Sequence, residues 1–137
     1  MAIETTLHKL SDTNLLVADP VEDVRGNKVV DRSGDEIGSV DDLLIDDREK
    51  KVRFLQIASG GFLGIGETKF LMPVDAVTKI VADTVYIDKT REHVAGSPRY
   101  DPDLIDDPYL NNVYGYYGYA PYWTPGYVYP AYPYYPY

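Results

Sequence analysis

The sequence predicts an all-β fold: a small β-barrel of five to six short strands, then a short helix and an extended Tyr/Pro/Gly-rich tail. Three observations predict it. Between Val29 and Ile87, short runs rich in Val, Ile, Leu and Phe alternate with Gly, Asp and Lys punctuation, the pattern of a small antiparallel sheet. The runs are short and the turns tight, which favours a closed barrel because closure removes exposed strand edges. From Tyr109 to Tyr137 no residue is charged, and of the 14 tyrosines only Tyr86 and Tyr100 come earlier.

The chain divides into an N-terminal extension (1–23), the barrel with its short helix (24–98), an acidic Pro-containing linker (99–108) and the tail (109–137). In the extension, Leu15-Leu16-Val17 is a short apolar run ended by Asp19-Pro20, which fits an added strand or a segment lying against the barrel. Lys28–Asp31 reads as the first strand. Arg32-Ser33-Gly34-Asp35 then forms a turn, with Gly34 supplying a positive φ. Ile37–Asp46 is a longer strand whose Leu43-Leu44-Ile45 run breaks alternation, as where a strand bends or is buried on both faces. A charged turn, Asp46–Lys50, leads to the strand Val52–Ala58, with Val52, Phe54 and Ala58 on one face and Leu55 and Ile57 on the other. A glycine-rich loop, Gly60–Gly66, precedes the strand Thr68–Met72. Pro73 ends that strand, Val74–Lys79 is expected as a short helical turn, and Thr84–Ile87 is a further strand. Thr90–Ala95 has helical character and stops at Gly96-Ser97-Pro98. In the tail, recurring prolines argue against a long helix and for polyproline II or irregular extended backbone.

These residues carry a resemblance. V-V-D-R-S-G-D-E-I-G-S-V-D-D-L-L-I-D-D from Val29, then G-G-F-L-G-I-G-E from Gly60 and M-P-V-D-A-V from Met72, resemble a PRC-barrel domain, the family named for the cytoplasmic domain of the photosynthetic reaction centre H subunit. The likeness covers about residues 24–98, with R-E-H-V-A-G-S-P-R-Y similar to the end of stand-alone members. The resemblance implies a compact β-barrel that docks onto proteins and is not itself catalytic. The membrane-spanning helix of the H subunit is missing here, and so is the RNA-binding partner domain of the ribosome maturation factor that shares the fold. The tail from Tyr109 lies outside the likeness.

Composition narrows the function classes. A net charge of −9 and a pI of about 4.5 disfavour a nucleic-acid partner, because phosphate backbones are repelled. There is no cysteine, hence no thiolate chemistry. The N-terminal residues lack the basic and apolar regions of a secretory signal, and no apolar run approaches the length of a transmembrane helix. A cytoplasmic location is therefore expected, with a membrane-peripheral position as the alternative.

Candidate chemistry is sparse. Gly61–Thr68 has the spacing of a phosphate-binding loop, but Glu67 stands where a lysine must neutralise phosphate, and both flanks read as strand. Asp41, Asp42, Asp46 and Asp47 form an acidic cluster of the kind that can hold a hard cation, without EF-hand spacing; a solvated acidic face is the plainer reading. His8 and His93 have no nucleophile motif beside them. No catalytic residue and no cofactor is expected.

The interaction residues expected are the apolar loop positions Phe62, Leu63 and Ile65, and the tail aromatics Tyr114, Tyr116, Tyr117, Tyr119, Tyr122, Trp123, Tyr127, Tyr129, Tyr132, Tyr134, Tyr135 and Tyr137. Tyr offers large apolar area, few rotatable bonds and a hydroxyl that still hydrogen-bonds. The expected function is a non-enzymatic protein–protein interaction module that self-associates into a homo-oligomer, the tail acting as an assembly strap. The alternative is an adaptor docking through the barrel onto a larger membrane-associated or ribonucleoprotein complex, and a metal-binding sensor ranks below both.

Overall fold

The computed structural model describes residues 7–9, 24–46, 51–59, 68–98, 100 and 107–129. The strands are β1 (Leu7–Lys9), β2 (Lys28–Val30), β3 (Glu36–Asp46), β4 (Lys51–Ser59), β5 (Thr68–Pro73), β6 (Val77–Val81) and β7 (Thr84–Ile87). The helices are α1 (Arg91–Ala95) and α2 (Asp107–Tyr117). The sheet runs β5-β4-β3-β2-β7-β6, antiparallel except for the β2–β7 pair. β1 pairs with the far end of β3, beside the same edge that β2 uses.

The PRC-type architecture expected from sequence is present as a curled half-barrel. Among the described strands its two ends, β5 and β6, are joined by a single 3₁₀ turn, Val74–Ala76, and not by a ladder. The long central strand is β3. Its register shifts at Val40/Asp42 and Leu44/Ile45, and residues 42–46 are all buried, so the Leu43-Leu44-Ile45 run does mark a bent strand covered on both faces. Strand β4 is buried from Val52 to Ile57 without alternation. At the start of the hairpin that joins β2 to β3, Asp31 is 3% exposed. Its Oδ1 accepts from the Ser33 and Asp35 amides, both at 2.9 Å, and its Oδ2 from the Arg91 amide at 2.8 Å. One carboxylate thus ties the hairpin to the first turn of α1.

Two expectations are corrected here. The helical turn expected over Val74–Lys79 is confined to Val74–Ala76, and Val77 begins β6. Val77 and Ile80 bury inward there while the extended backbone pairs with β7, an arrangement a longer helical turn would forfeit. The tail is not extended throughout. Asp107–Tyr117 is an α-helix. Pro108 falls in its first turn, where a missing N–H is harmless, and the next proline is Pro121. Between them Leu110, Val113, Tyr114 and Tyr117 follow the i, i+3, i+4, i+7 spacing of one helix face, and all four are buried. Gly118, at φ 84°, ends the helix, with the Gly118 and Tyr119 amides both donating to the Tyr114 carbonyl.

This helix belongs to the core. Leu110, Val113, Tyr114 and Tyr117 join Val94 of α1 and the strand residues in one buried cluster. α2 packs on β5, and the Tyr114 ring lies 5.1 Å from that of Phe54 on β4. Tyr116 reaches α1, its hydroxyl donating to the His93 carbonyl at 2.6 Å and its ring 4.4 Å from the imidazole. The segment 1–6, the run Leu15–Val17, the turn 47–50 and the loop 60–67 lie outside the described residues.

Candidate interaction site: an aromatic strap over strand β4

After α2 the chain turns back over the sheet as a strap, residues 118–129. Two tight turns shape it, with the Thr124 amide donating to the Pro121 carbonyl and the Tyr127 amide to the Thr124 carbonyl, each at 3.0 Å. Tyrosine hydroxyls fasten it at separate points. Tyr119 donates to the Asp88 carboxylate at 3.0 and 3.1 Å, Tyr127 to Asp75 Oδ2 at 3.0 Å, and Tyr129 to the Val52 carbonyl at 3.0 Å. These fasteners need a phenol's length and a donor at its tip, which is why Tyr serves where Phe would not.

Arg53 is the charge beneath the strap. It is 2% exposed, and its Nη2 lies 3.2 Å from Asp46 Oδ2, itself buried. The guanidinium carbon lies 4.5 Å from the Tyr122 ring centroid and 5.4 Å from that of Tyr129. A buried guanidinium needs a counter-ion and weakly hydrated neighbours, and the acid and the aromatic faces supply them. Lys51, two residues earlier on the same strand, meets the same Tyr129 ring, 4.6 Å from its centroid. Trp123 meets Tyr114 and Tyr122 edge-on, at 5.9 and 5.0 Å. Strap and strand together border an open cleft of about 180 Å³ lined by Lys51, Arg53, Tyr122, Thr124, Gly126, Tyr127 and Tyr129.

Burial sets the proton affinities around the strap. Desolvation raises the Asp75 carboxyl above its ordinary 3.8, although the Tyr127 hydroxyl and Arg53 pull the other way. Desolvation also raises the Tyr114 and Tyr127 phenols, Tyr127 being raised further by neighbouring Asp75. Tyr117 is pushed up to about 12 by burial. All three remain neutral at physiological pH.

The sequence-derived residues fall into distinct places. Tyr122, Trp123, Tyr127 and Tyr129 come together in the strap, half-buried, and Tyr119 fastens its start. Tyr114 and Tyr117, at 1% and 2% exposure, lie in this chain's own core, so they do not present a contact surface; Tyr116 bridges the two helices. Phe62, Leu63, Ile65, Tyr132, Tyr134, Tyr135 and Tyr137 lie outside the described residues, as does Asp47. The other acidic candidates diverge. Asp41 pairs with Lys69 at 3.0 Å and accepts from Gln56 Nε2, Asp42 caps the Leu43 amide at 2.9 Å, and Asp46 faces Arg53. Among the described residues no three of His, Cys, Asp and Glu gather as a metal-ligand set. Sequence reasoning missed Lys51, Arg53, Asp75 and Asp88. The signal available was Arg53 itself, a charge inside the apolar strand V-R-F-L-Q-I, which demands partners from elsewhere.

The PRC-barrel domain model matches residues 18–94, over half the chain. The chain belongs to the PRC-barrel family. A comparison with curated proteins found no match. The match ends inside α1, so α2 and the strap lie beyond the matched residues. The aromatic cleft is therefore composite: the barrel's β4 supplies Lys51 and Arg53, and the segment beyond the match supplies the rings. Among the described residues no helix of this PRC-barrel protein is long and apolar enough to cross a membrane.

Proposed function

We propose that the chain is a non-enzymatic protein–protein interaction module that self-associates, with α2 and the strap as the element passed between copies. The observation that carries this reading is the fit of that segment to the barrel: separate tyrosine hydroxyl fasteners plus the rings around Arg53. Whatever the strap recognises on its own barrel it recognises equally on a second copy. Exchange across the 99–106 connection then makes a dimer with no new contact chemistry, the low-energy route of domain swapping. The uncharged composition from Tyr109 onward also removes charge repulsion between straps on a chain of net charge −9. The reading includes a cytoplasmic location and no nucleic-acid partner.

The test is sedimentation equilibrium across a wide concentration range, on wild type and on a Tyr119→Phe/Tyr127→Phe/Tyr129→Phe triple variant. The reading expects a wild-type mass that rises to a dimer with concentration and, because the same fasteners form in monomer and swapped dimer, a similar rise in the variant as long as its strap stays docked. Two monomers at every concentration would refute self-association. That outcome would favour the second reading, an adaptor docking onto a larger complex. Its support is Val81, 41% exposed on β6, the end strand of the described sheet, where a partner strand can add to the edge.

A further inference from the structure

The cleft between β4 and the strap has a charge pattern opposite to that of the rest of the chain. The chain carries 22 acidic residues against 13 Lys and Arg, yet among the described residues the cleft's lining contains Lys51 and Arg53 and no carboxylate. Asp46, the partner of Arg53, is not part of the lining, and neither is Asp75. We infer that this cleft is a binding site for a small oxyanion, a phosphate or a carboxylate, held between Lys51 and Arg53.

Three features support the assignment beyond the two charges. First, both cations come from the start of β4 and meet the same ring, that of Tyr129, which places them side by side. Second, they are held still. The Arg53 guanidinium is buried, ion-paired and set against two rings, and Lys51 sits over the Tyr129 ring, so little side-chain freedom is left to lose on binding. Third, the Tyr122 and Tyr129 rings flank the two cations, so aromatic surface replaces part of the solvent that would otherwise screen them. The Thr124 hydroxyl adds a neutral donor on the strap side. At about 180 Å³ the space exceeds a bare tetrahedral anion and compares with an engineered cavity of about 150 Å³ that holds benzene. The site therefore takes an oxyanion carrying a short or ring-sized substituent as well as the free ion.

The geometry gives binding a consequence. One wall comes from the barrel and the other from the strap, so an anion bridging them clamps the strap down and stabilises the folded chain by mass action. The inference does not rest on self-association, since it concerns one chain's own cleft.

The chain reports on the site itself, because its single tryptophan, Trp123, lies 5.0 Å from the Tyr122 ring that lines the cleft. The experiment titrates the full-length protein with inorganic phosphate and, separately, with acetate, ionic strength being held constant with chloride. Trp123 fluorescence and the thermal midpoint are both read. The expected result is a saturable fluorescence change and a rising midpoint, with a dissociation constant of about 1 mM or tighter for at least one anion. Saturation by phosphate alone makes the site a phosphate site, saturation by acetate alone a carboxylate site, and either supports the inference. Lys51→Gln is expected to weaken binding about tenfold, the loss of one charge-assisted hydrogen bond, with an unchanged circular dichroism spectrum. Lys79→Gln, removing a cation on β6 away from the cleft, is expected to leave binding unchanged. Responses that match chloride and never saturate would overturn the inference. So would equal weakening by both substitutions, since that is general attraction to a charged surface.

Discussion

Arg53 shows how a single buried charge organises its surroundings. Its position in an otherwise apolar strand obliges the fold to bring Asp46 across from β3 and two tyrosine rings down from the strap. Removing the guanidinium leaves the Asp46 carboxylate buried without that counter-charge. Arg53→Ala is therefore expected to destabilise the protein by about 3–5 kcal/mol, and an Asp46→Leu/Arg53→Met pair to recover most of that loss, measured by urea unfolding. Asp75 makes a second residue-scale prediction, through pH. Its folded proton affinity is raised above the ordinary 3.8 because burial disfavours the carboxylate. A raised acid binds its proton more tightly folded than unfolded. Its contribution is thus fully present below 3.8 and is lost as pH rises through the raised value. Asp75→Asn keeps an acceptor for the Tyr127 hydroxyl without the charge. Its thermal midpoint is expected to fall less than that of wild type as pH rises from 4 to 7, a roughly chosen window spanning the ordinary carboxylate range. An identical pH profile in the two proteins would show that Asp75 is not held against its charge.

At the scale of elements, α2 decides what was legible. The strands β2, β3, β4, β5 and β7 follow from β-branched and apolar runs set off by turn residues, and α1 from Thr90, whose hydroxyl caps the His93 amide at 3.2 Å. The helix α2 was also written in the sequence, in the spacing of Leu110, Val113, Tyr114 and Tyr117. Composition concealed it. Asn, Gly and Tyr are indifferent or poor helix formers, so propensity argues against a helix that burial of one face creates. The weak β6 was missed for a related reason, its Thr78 and Lys79 interrupting the apolar pattern. The strap was illegible because its partners are distant in sequence: Tyr127 meets Asp75 and Tyr129 meets Val52, and no local period encodes either pairing. Gly115 tests the account of α2. It is exposed in the helix, and an added Cβ there would meet nothing within 4 Å. Gly115→Ala is expected to stabilise the whole protein by about 1 kcal/mol, read as a higher urea midpoint at unchanged slope. No change would mean that α2 is not part of the cooperative unit.

For the molecule as a whole, the family match and the physical core do not end at the same residue. The match stops at residue 94, whereas the buried cluster continues through Leu110, Val113, Tyr114 and Tyr117. A curled, open half-barrel leaves apolar surface that a ladder between its end strands would otherwise cover, and α2 buries its own face in the same core. The tail is thus an integral layer of the fold from Asp107 to Tyr117 and a fastened strap from Gly118 to Tyr129. The most direct test of that claim is native-state hydrogen exchange on the full-length protein, comparing α2 amides with those of β3 and β4. Amides that open only with global unfolding exchange at one shared free energy. The account predicts that the amides of Val113, Tyr114 and Tyr117 exchange as slowly as those of Leu44 and Leu55. Fast exchange throughout α2, with β3 and β4 still protected, would contradict it and make the barrel a core complete without its tail.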